Sequence, residues 1–165
     1  MKRKIHLYWQ ETCARAVQDA VLTLGTHFPL DVVLEGEKKP DPAAFDTARG
    51  QYDAEYLLRG LASPDGSETE NELFLWLIGE DIGYPGFGYL YGAAVKNTAI
   101  VSAARTGFGV DLQKEVCHET GHMFGLDHCK NQCVMNSSSG GRRLAKKPVR
   151  FCAGCLPYIF KEDRR

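Results

Sequence analysis

The sequence predicts an α/β (α+β) fold, a twisted and mostly parallel five-stranded sheet with flanking helices, on three observations. Strand-like and helix-like segments alternate through the first half of the chain, the order expected when parallel strands are joined by crossover helices. Leu73 to Ile78 is an apolar run without alternation, which suits a central strand covered on both faces. Glu11 to Leu24 places Cys13, Val17, Ala20, Val21 and Leu24 at three- and four-residue steps, the spacing of an amphipathic helix.

The elements follow in order. Lys4 to Trp9, with Ile5, Leu7 and Trp9 alternating, reads as the first strand. The helix Glu11 to Leu24 is stopped by Gly25, and Leu30 to Leu34 reads as a second strand. A polar loop spans Gly36 to Pro42, and Arg49 to Leu61 reads as a helix with Tyr52, Tyr56 and Leu57 on one face. Ser63 to Ser67 is a turn and Glu68 to Glu72 an acidic surface stretch. After Leu73 to Ile78 comes a loop, Gly83 to Gly88, open to two readings: a mobile cleft wall or a plain connection. Tyr89 to Val95 and Ala99 to Ala103 are further strands, joined by Lys96, Asn97 and Thr98. Leu112 to Leu126 is a helix ending at Gly125; His128 to Arg150 has little periodicity, and a last helix covers Leu156 to Glu162.

At 165 residues, with 44% hydrophobic and 25% charged residues, the chain suits one domain and excludes disordered, fibrous and coiled-coil classes. Its longest apolar run falls far short of the roughly 20 residues of a membrane span. No apolar h-region follows the basic start Met1-Lys2-Arg3-Lys4, so a cytoplasmic protein without a membrane role is expected. The net charge of −1 hides an asymmetry: residues 31–81 carry net −9 and residues 142–165 net +6. Two solvated faces are the plain reading, and a binding role for the basic segment the other.

Four of the six cysteines are clustered as Cys129/Cys133 and Cys152/Cys155, two short pairs able to grip a tetrahedral zinc with four thiolates; paired redox thiols are the alternative. Cys13 and Cys117 read as buried free thiols. The residues that carry chemistry are His118-Glu119-Thr120-Gly121-His122, then Gly125 and His128. Helix positions four apart differ by about 40° of rotation, so His118 and His122 reach one metal ion, and Glu119 projects beside them to hold a water without ligating. Continued as a helix, the chain would carry His128 roughly 240° away from His122. Gly125 can take the left-handed conformation that reverses the chain and returns His128 as a third ligand. Three imidazoles leave a fourth position open, the mark of a catalytic rather than structural zinc. By chance such a string arises in on the order of one chain in 10⁵, whereas histidines merely satisfied on a helix surface need no such offsets. His6 and His27 read as ordinary surface or core residues.

This is the metzincin signature with a following methionine. The string His128-Cys129, Cys133-Val134-Met135, Cys152-x-x-Cys155 resembles the archaemetzincins, a family of zinc-dependent metallopeptidases. Arg49 to Tyr52, the strand holding Gly92, Ser102 to Arg105, and Lys114-Glu115 resemble family segments as well. The resemblance implies a single metzincin-like domain, 1–165, whose N-terminal subdomain (1–125) ends in the active-site helix and whose small C-terminal subdomain (126–165) holds the Met-turn. It implies that His118, His122 and His128 bind a catalytic zinc, and that Glu119 is general base and acid in peptide-bond hydrolysis. Met135 would be the Met-turn residue, a hydrophobic floor beneath the zinc. Cys129, Cys133, Cys152 and Cys155 would hold a second, structural zinc. Tyr89 to Val95 would be an antiparallel edge strand along which an extended peptide could align. This chain departs from the family pattern in having three residues rather than four between the first two cysteines, sixteen rather than about seventeen between Met135 and Cys152, and Ser137 where some metzincins carry a tyrosine.

A peptide or protein substrate, two zinc ions and a monomer are therefore expected. The alternatives are a zinc-stabilised peptide-binding module with little peptidase activity, or nucleic-acid binding through Arg142, Arg143, Lys146, Lys147 and Arg150. The slightly negative total and the lack of interleaved aromatics argue against nucleic acid; the same cluster could select acidic peptide residues.

Overall fold

The computed structural model describes residues 2–61, 70–137 and 141–161. The chain opens with β1 (Arg3–Trp9), a 3-10 stretch (Glu11–Ala16), α1 (Val17–His27) and β2 (Leu30–Glu37). Short strands β3 (Phe45–Asp46) and β4 (Gln51–Asp53) precede α2 (Ala54–Arg59). Then come β5 (Glu72–Ile78), β6 (Ile82–Gly83), β7 (Tyr89–Leu90), β8 (Gly92–Val95) and β9 (Thr98–Ser102). Helices α3 (Ala103–Thr106), α4 (Val110–Met123), α5 (Gly141–Lys146) and α6 (Leu156–Ile159) complete it.

Five strands form the main sheet in the order β2-β1-β5-β9-β8. All pairings are parallel except β8 with β9, which are antiparallel and place Gly92 opposite Val101. The expected edge strand is therefore present. The apolar run of β5 is central and serves two cores. Leu73, Leu75 and Leu77 pack with α1 and α4 residues such as Leu24 and Val116 on one face. Trp76 and Ile78 pack with Leu57 and Leu58 of α2 on the other. Alternation on such a strand is invisible because both of its faces are dry.

Several boundaries differ from the sequence reading. The first helix begins as 3-10 and runs through Gly25 to His27, because a glycine inside a helix costs only about 1 kcal/mol. Its exit is set instead by Phe28, 3% exposed, which turns the chain into β2. Arg49 to Leu61 is not one helix: Asp53 accepts from the Glu55 and Tyr56 amides and caps α2, leaving Gln51–Asp53 free to pair as β4. Tyr89 to Val95 is broken at Tyr91 into β7, which joins a small sheet β3-β4-β6-β7, and β8. α4 starts at Val110 and ends at Met123 rather than Leu126. α5 carries no strong sequence signal; Lys114 of α4 holds it in place through the Leu144 and Ala145 carbonyls, at 3.0 and 3.1 Å. The Ser63 to Ser67 turn, the first two residues of the acidic stretch after it and Glu162 lie outside the described residues.

The loop after β6 is tied down. Arg49 Nη2 donates to the carbonyls of Tyr84 (2.7 Å) and Phe87 (2.9 Å) and to Gln51 Oε1 (2.8 Å). Gly83 admits this brace, since a Cβ there would lie 2.7 Å from the Arg49 guanidinium. Among the described residues no helix is long and apolar enough to cross a membrane.

Candidate metal centre and active site

α4 lies across the sheet with His118 and Glu119 buried and His122 half-buried. It ends in a Schellman turn. Gly125 has φ +86°, its N–H donates to the His122 carbonyl (2.9 Å), and the Leu126 N–H donates to the Gly121 carbonyl (3.1 Å). The reversal has the expected result: one ring nitrogen from each of His118, His122 and His128 lies within 4.8 Å of the others, as a shared metal ion would need. His118 Nε2 and His122 Nε2 are 3.1 Å apart. Exposure rises from buried His118 to exposed His128, so the cluster opens to solvent on the side of His128.

Each helical imidazole is oriented from behind. His118 Nδ1 donates to the Val134 carbonyl and His122 Nδ1 to the Leu126 carbonyl, both at 2.8 Å. These bonds select the tautomer whose Nε2 lone pair faces the cluster. Burial holds the His118 imidazole well below its usual pKa, and the nearby Lys147 ammonium adds to the effect. Burial lowers His122 too. Both rings are thus neutral, as ligation requires.

Glu119 is 5% exposed and lies against the edge strand. A Cβ on Gly92 would sit 2.7 Å from Glu119 Cγ and 2.8 Å from Oε1. Burial pushes this carboxyl well above the ordinary carboxylate range; Glu115 adds to the shift and Lys147 opposes it. Met135 is fully buried with its sulfur under α4, where a Cβ on Gly121 would be 2.4 Å from Sδ.

The four cysteines form a second cluster, their Sγ atoms all within 4.8 Å of one another. Cys129 Sγ and Cys152 Sγ are 3.8 Å apart, the edge of a tetrahedron with zinc–sulfur bonds of about 2.3 Å. Backbone amides point at the sulfurs: Asn131 N–H at Cys129, and the Met135 and Cys152 N–H groups at Cys133. The Cys155 amide and other donors lower the Cys152 thiol to about 6, while burial raises Cys133 and Cys155. No cysteine forms a disulfide, and Cys13 and Cys117 are buried apart from the cluster. In their chemistry and spacing both donor sets fit zinc, a three-imidazole set with an open side and a closed four-thiolate set.

The structure also shows what the sequence reading passed over. Lys147 belongs to no surface patch: it is buried and its Nζ lies 3.0 Å from Glu115 Oε1. Lys146 and Arg150 are exposed, while the side chains of Arg142 and Arg143 lie outside the described residues. The inward turn of Lys147 had one signal, the acidic Glu115 three positions before His118 on a helix otherwise turned to the core. His6, read as ordinary, donates from Nδ1 to the Glu35 carboxylate and from Nε2 to the Glu72 carboxylate.

The family model for peptidase family M54 matches residues 37–161. An archaemetzincin of Saccharolobus solfataricus is 33% identical over 146 residues, covering 80% of this chain and 78% of that one. One of Haloquadratum walsbyi is 32% identical over 165 residues, covering 89% and 93%. Among solved structures, the archaemetzincin of Methanopyrus kandleri superposes with a TM-score of 0.80 at 28% identity, covering 96% of this chain and 93% of that one. The archaemetzincin of Archaeoglobus fulgidus, solved with malonate, gives 0.81 at 27% identity, covering 94% and 99%.

Proposed function

Since this chain belongs to peptidase family M54, the archaemetzincins, and is thus a zinc metallopeptidase, we propose that His118, His122 and His128 hold its catalytic zinc and that Glu119 is the general base. The observation that carries this is the convergence of three imidazole nitrogens on one point, two of them fixed from behind by backbone carbonyls. Zinc held there supplies Lewis acidity, which polarises a peptide carbonyl and acidifies a water. Glu119, one position along the helix from His118, takes the proton of the attacking water and delivers it to the leaving amine. Its burial favours both halves of that shuttle, because a dry carboxyl keeps a proton long enough to pass it on. Gly92 gives it room, and the free side of β8 offers backbone groups to an extended peptide lying over the histidines.

Met135 is read as the floor of the centre, packed under the Gly121 turn of α4. Cys129, Cys133, Cys152 and Cys155 hold a second, structural zinc, for two ions per chain. The thiolate edge of 3.8 Å and the amides aimed at sulfur support this site. The turn at Gly125 supports a division into subdomains 1–125 and 126–165. Six unpaired cysteines suit a reducing cytoplasm, and a monomer completes the reading.

The test is a peptide-library digest by the zinc-loaded protein beside Glu119→Ala. The variant is expected to keep two zinc ions and cleave nothing. Undiminished cleavage overturns the assignment of Glu119, and a wild type with no zinc at the histidines overturns the centre.

A further inference from the structure

We propose that Glu115 and Lys147 are positioning residues for the histidine centre, a buried ion pair that fixes Asn136 and residues 144–147 against the back of His118. The inference rests on the reading of the three histidines as a metal site. The pair's side chains are 2% and 3% exposed. Lys147 Nζ lies 3.0 Å from Glu115 Oε1, 3.3 Å from His118 Nδ1 and 3.4 Å from the Asn136 carbonyl. It thus touches three parts of the centre at once: α4, a ligating imidazole, and the residue after Met135.

A second grip runs beside the first in the opposite sense. Lys114, also buried, sends its ammonium from α4 to the Leu144 and Ala145 carbonyls, with Asp111 Oδ1 at 3.0 Å. Adjacent residues of α4 therefore clasp 144–147 from both ends, one by donating to its backbone and one by receiving its side chain. Apolar packing of similar volume would satisfy a dry interior at less cost than two charges. What charges add is direction: packed side chains slide, whereas a hydrogen-bonded pair fixes distance and angle. The direction matters here because His118 takes its orientation from the Val134 carbonyl, two residues before Asn136. Glu115 lies three positions before His118 and four before Glu119, so it shares their side of the helix.

The test uses the full chain loaded with cobalt(II), which reports the sites separately: thiolate charge-transfer bands for the cysteines, and for the histidines the d–d bands at shorter wavelength than those of a four-thiolate site. In Glu115→Gln and Lys147→Met, the d–d bands are expected to change and cobalt to leave the histidines for a chelator about 10- to 100-fold faster. Loss from the cysteines stays at the wild-type rate. A lone buried charge can prevent folding, so the double variant Glu115→Met/Lys147→Met, which buries no charge, is the decisive one. It is expected to melt near the wild type yet still lose histidine-bound cobalt rapidly. Wild-type bands and loss rate in the double variant overturn the pair's role while leaving the metal centre intact. A wild type that takes up cobalt only at its cysteines overturns the centre, and the inference with it.

Discussion

Gly92 on the edge strand and Glu119 on α4 share one space: the position a Cβ would take at residue 92 is 2.7 Å from Glu119 Cγ and 2.8 Å from Oε1. The Ile100 carbonyl, 3.0 Å away, closes the third side, so the strand cannot retreat without straining the sheet. Gly92→Ala therefore moves the carboxylate. A displacement of about 1 Å costs on the order of 100-fold in rate. The expected outcome is a protein with its full zinc content and turnover reduced by about that factor, measured as kcat on a library-derived peptide. Turnover equal to wild type would show that Glu119 has slack.

A similar contact lies on the opposite side of α4. At Gly121 a Cβ would stand 2.4 Å from Met135 Sδ, with Phe151 at 3.3 Å. Methionine is flexible and yields, so Gly121→Ala is expected to cost about 1–3 kcal/mol rather than abolish folding. For a chain of this size that lowers Tm by roughly 2–4 °C per kcal/mol. Because the sulfur is the obstacle, Gly121→Ala combined with Met135→Ala should cost less than the sum of the two single losses; calorimetry of the single and double variants checks it.

The Arg49 brace makes a prediction about the loop at residues 84–88. One guanidinium nitrogen, at the end of a long stem, serves two of its carbonyls and Gln51; a lysine ammonium has donors enough for all three but sits on a shorter stem that stops short of them. Arg49→Lys and Arg49→Ala should both raise hydrogen exchange in that loop by an order of magnitude or more, with α4 unchanged. Equal exchange in wild type and variants would show that the strands beside the loop suffice to hold it.

The sequence made the site more legible than the frame around it. His118, His122 and His128 were readable because helix geometry and one left-handed glycine leave those offsets a single spatial solution. The four cysteines were readable because short loops bring paired thiols together wherever they occur. What escaped were relations set by tertiary contact. Gly25 looks like a stop, but Phe28 burial overrides it. Tyr89 to Val95 looks continuous, but two sheets claim its halves. Lys147 looks like one more base in a basic run, and only its approach to Glu115, 32 positions away, gives it another meaning.

His6 supplies a pH prediction outside the active site. Partial burial lowers its pKa, but Glu35 and Glu72 on its two nitrogens outweigh that, and the net shift is upward from 6.5. The β-bulge in the β1–β2 pairing puts Glu35 within reach, and Phe74 stacks on the ring. A pKa raised by folding gives stability that is complete below about 6.5 and is lost as pH rises through the folded value. The Tm difference between wild type and His6→Gln should therefore be largest near pH 6 and shrink toward pH 9. A difference constant across that window would mean that the imidazole contributes by packing alone.

The cysteine cluster and the three histidines are joined through the backbone. Two short links join them. His128 precedes Cys129 directly, and its exposed ring meets only the His118 and His122 rings among the ring contacts of the described residues, at centroid distances of 5.3 and 5.0 Å. Cys133 precedes Val134, whose carbonyl orients His118 and whose N–H bonds the Arg150 carbonyl near Cys152. The Cys129 N–H closes the circuit on the Met135 carbonyl at 2.9 Å. Thiolate–zinc bonding contributes about 10 kcal/mol or more to such a segment, enough to order a stretch with few apolar residues of its own. On the proposed two-zinc reading, Cys152→Ser removes one ligand and loosens both links, so zinc content should fall below one ion per chain under dialysis conditions that leave two on the wild type. A variant that keeps one zinc at wild-type affinity, still lost when His122 is also replaced by alanine, would show that the histidine centre stands without its neighbour.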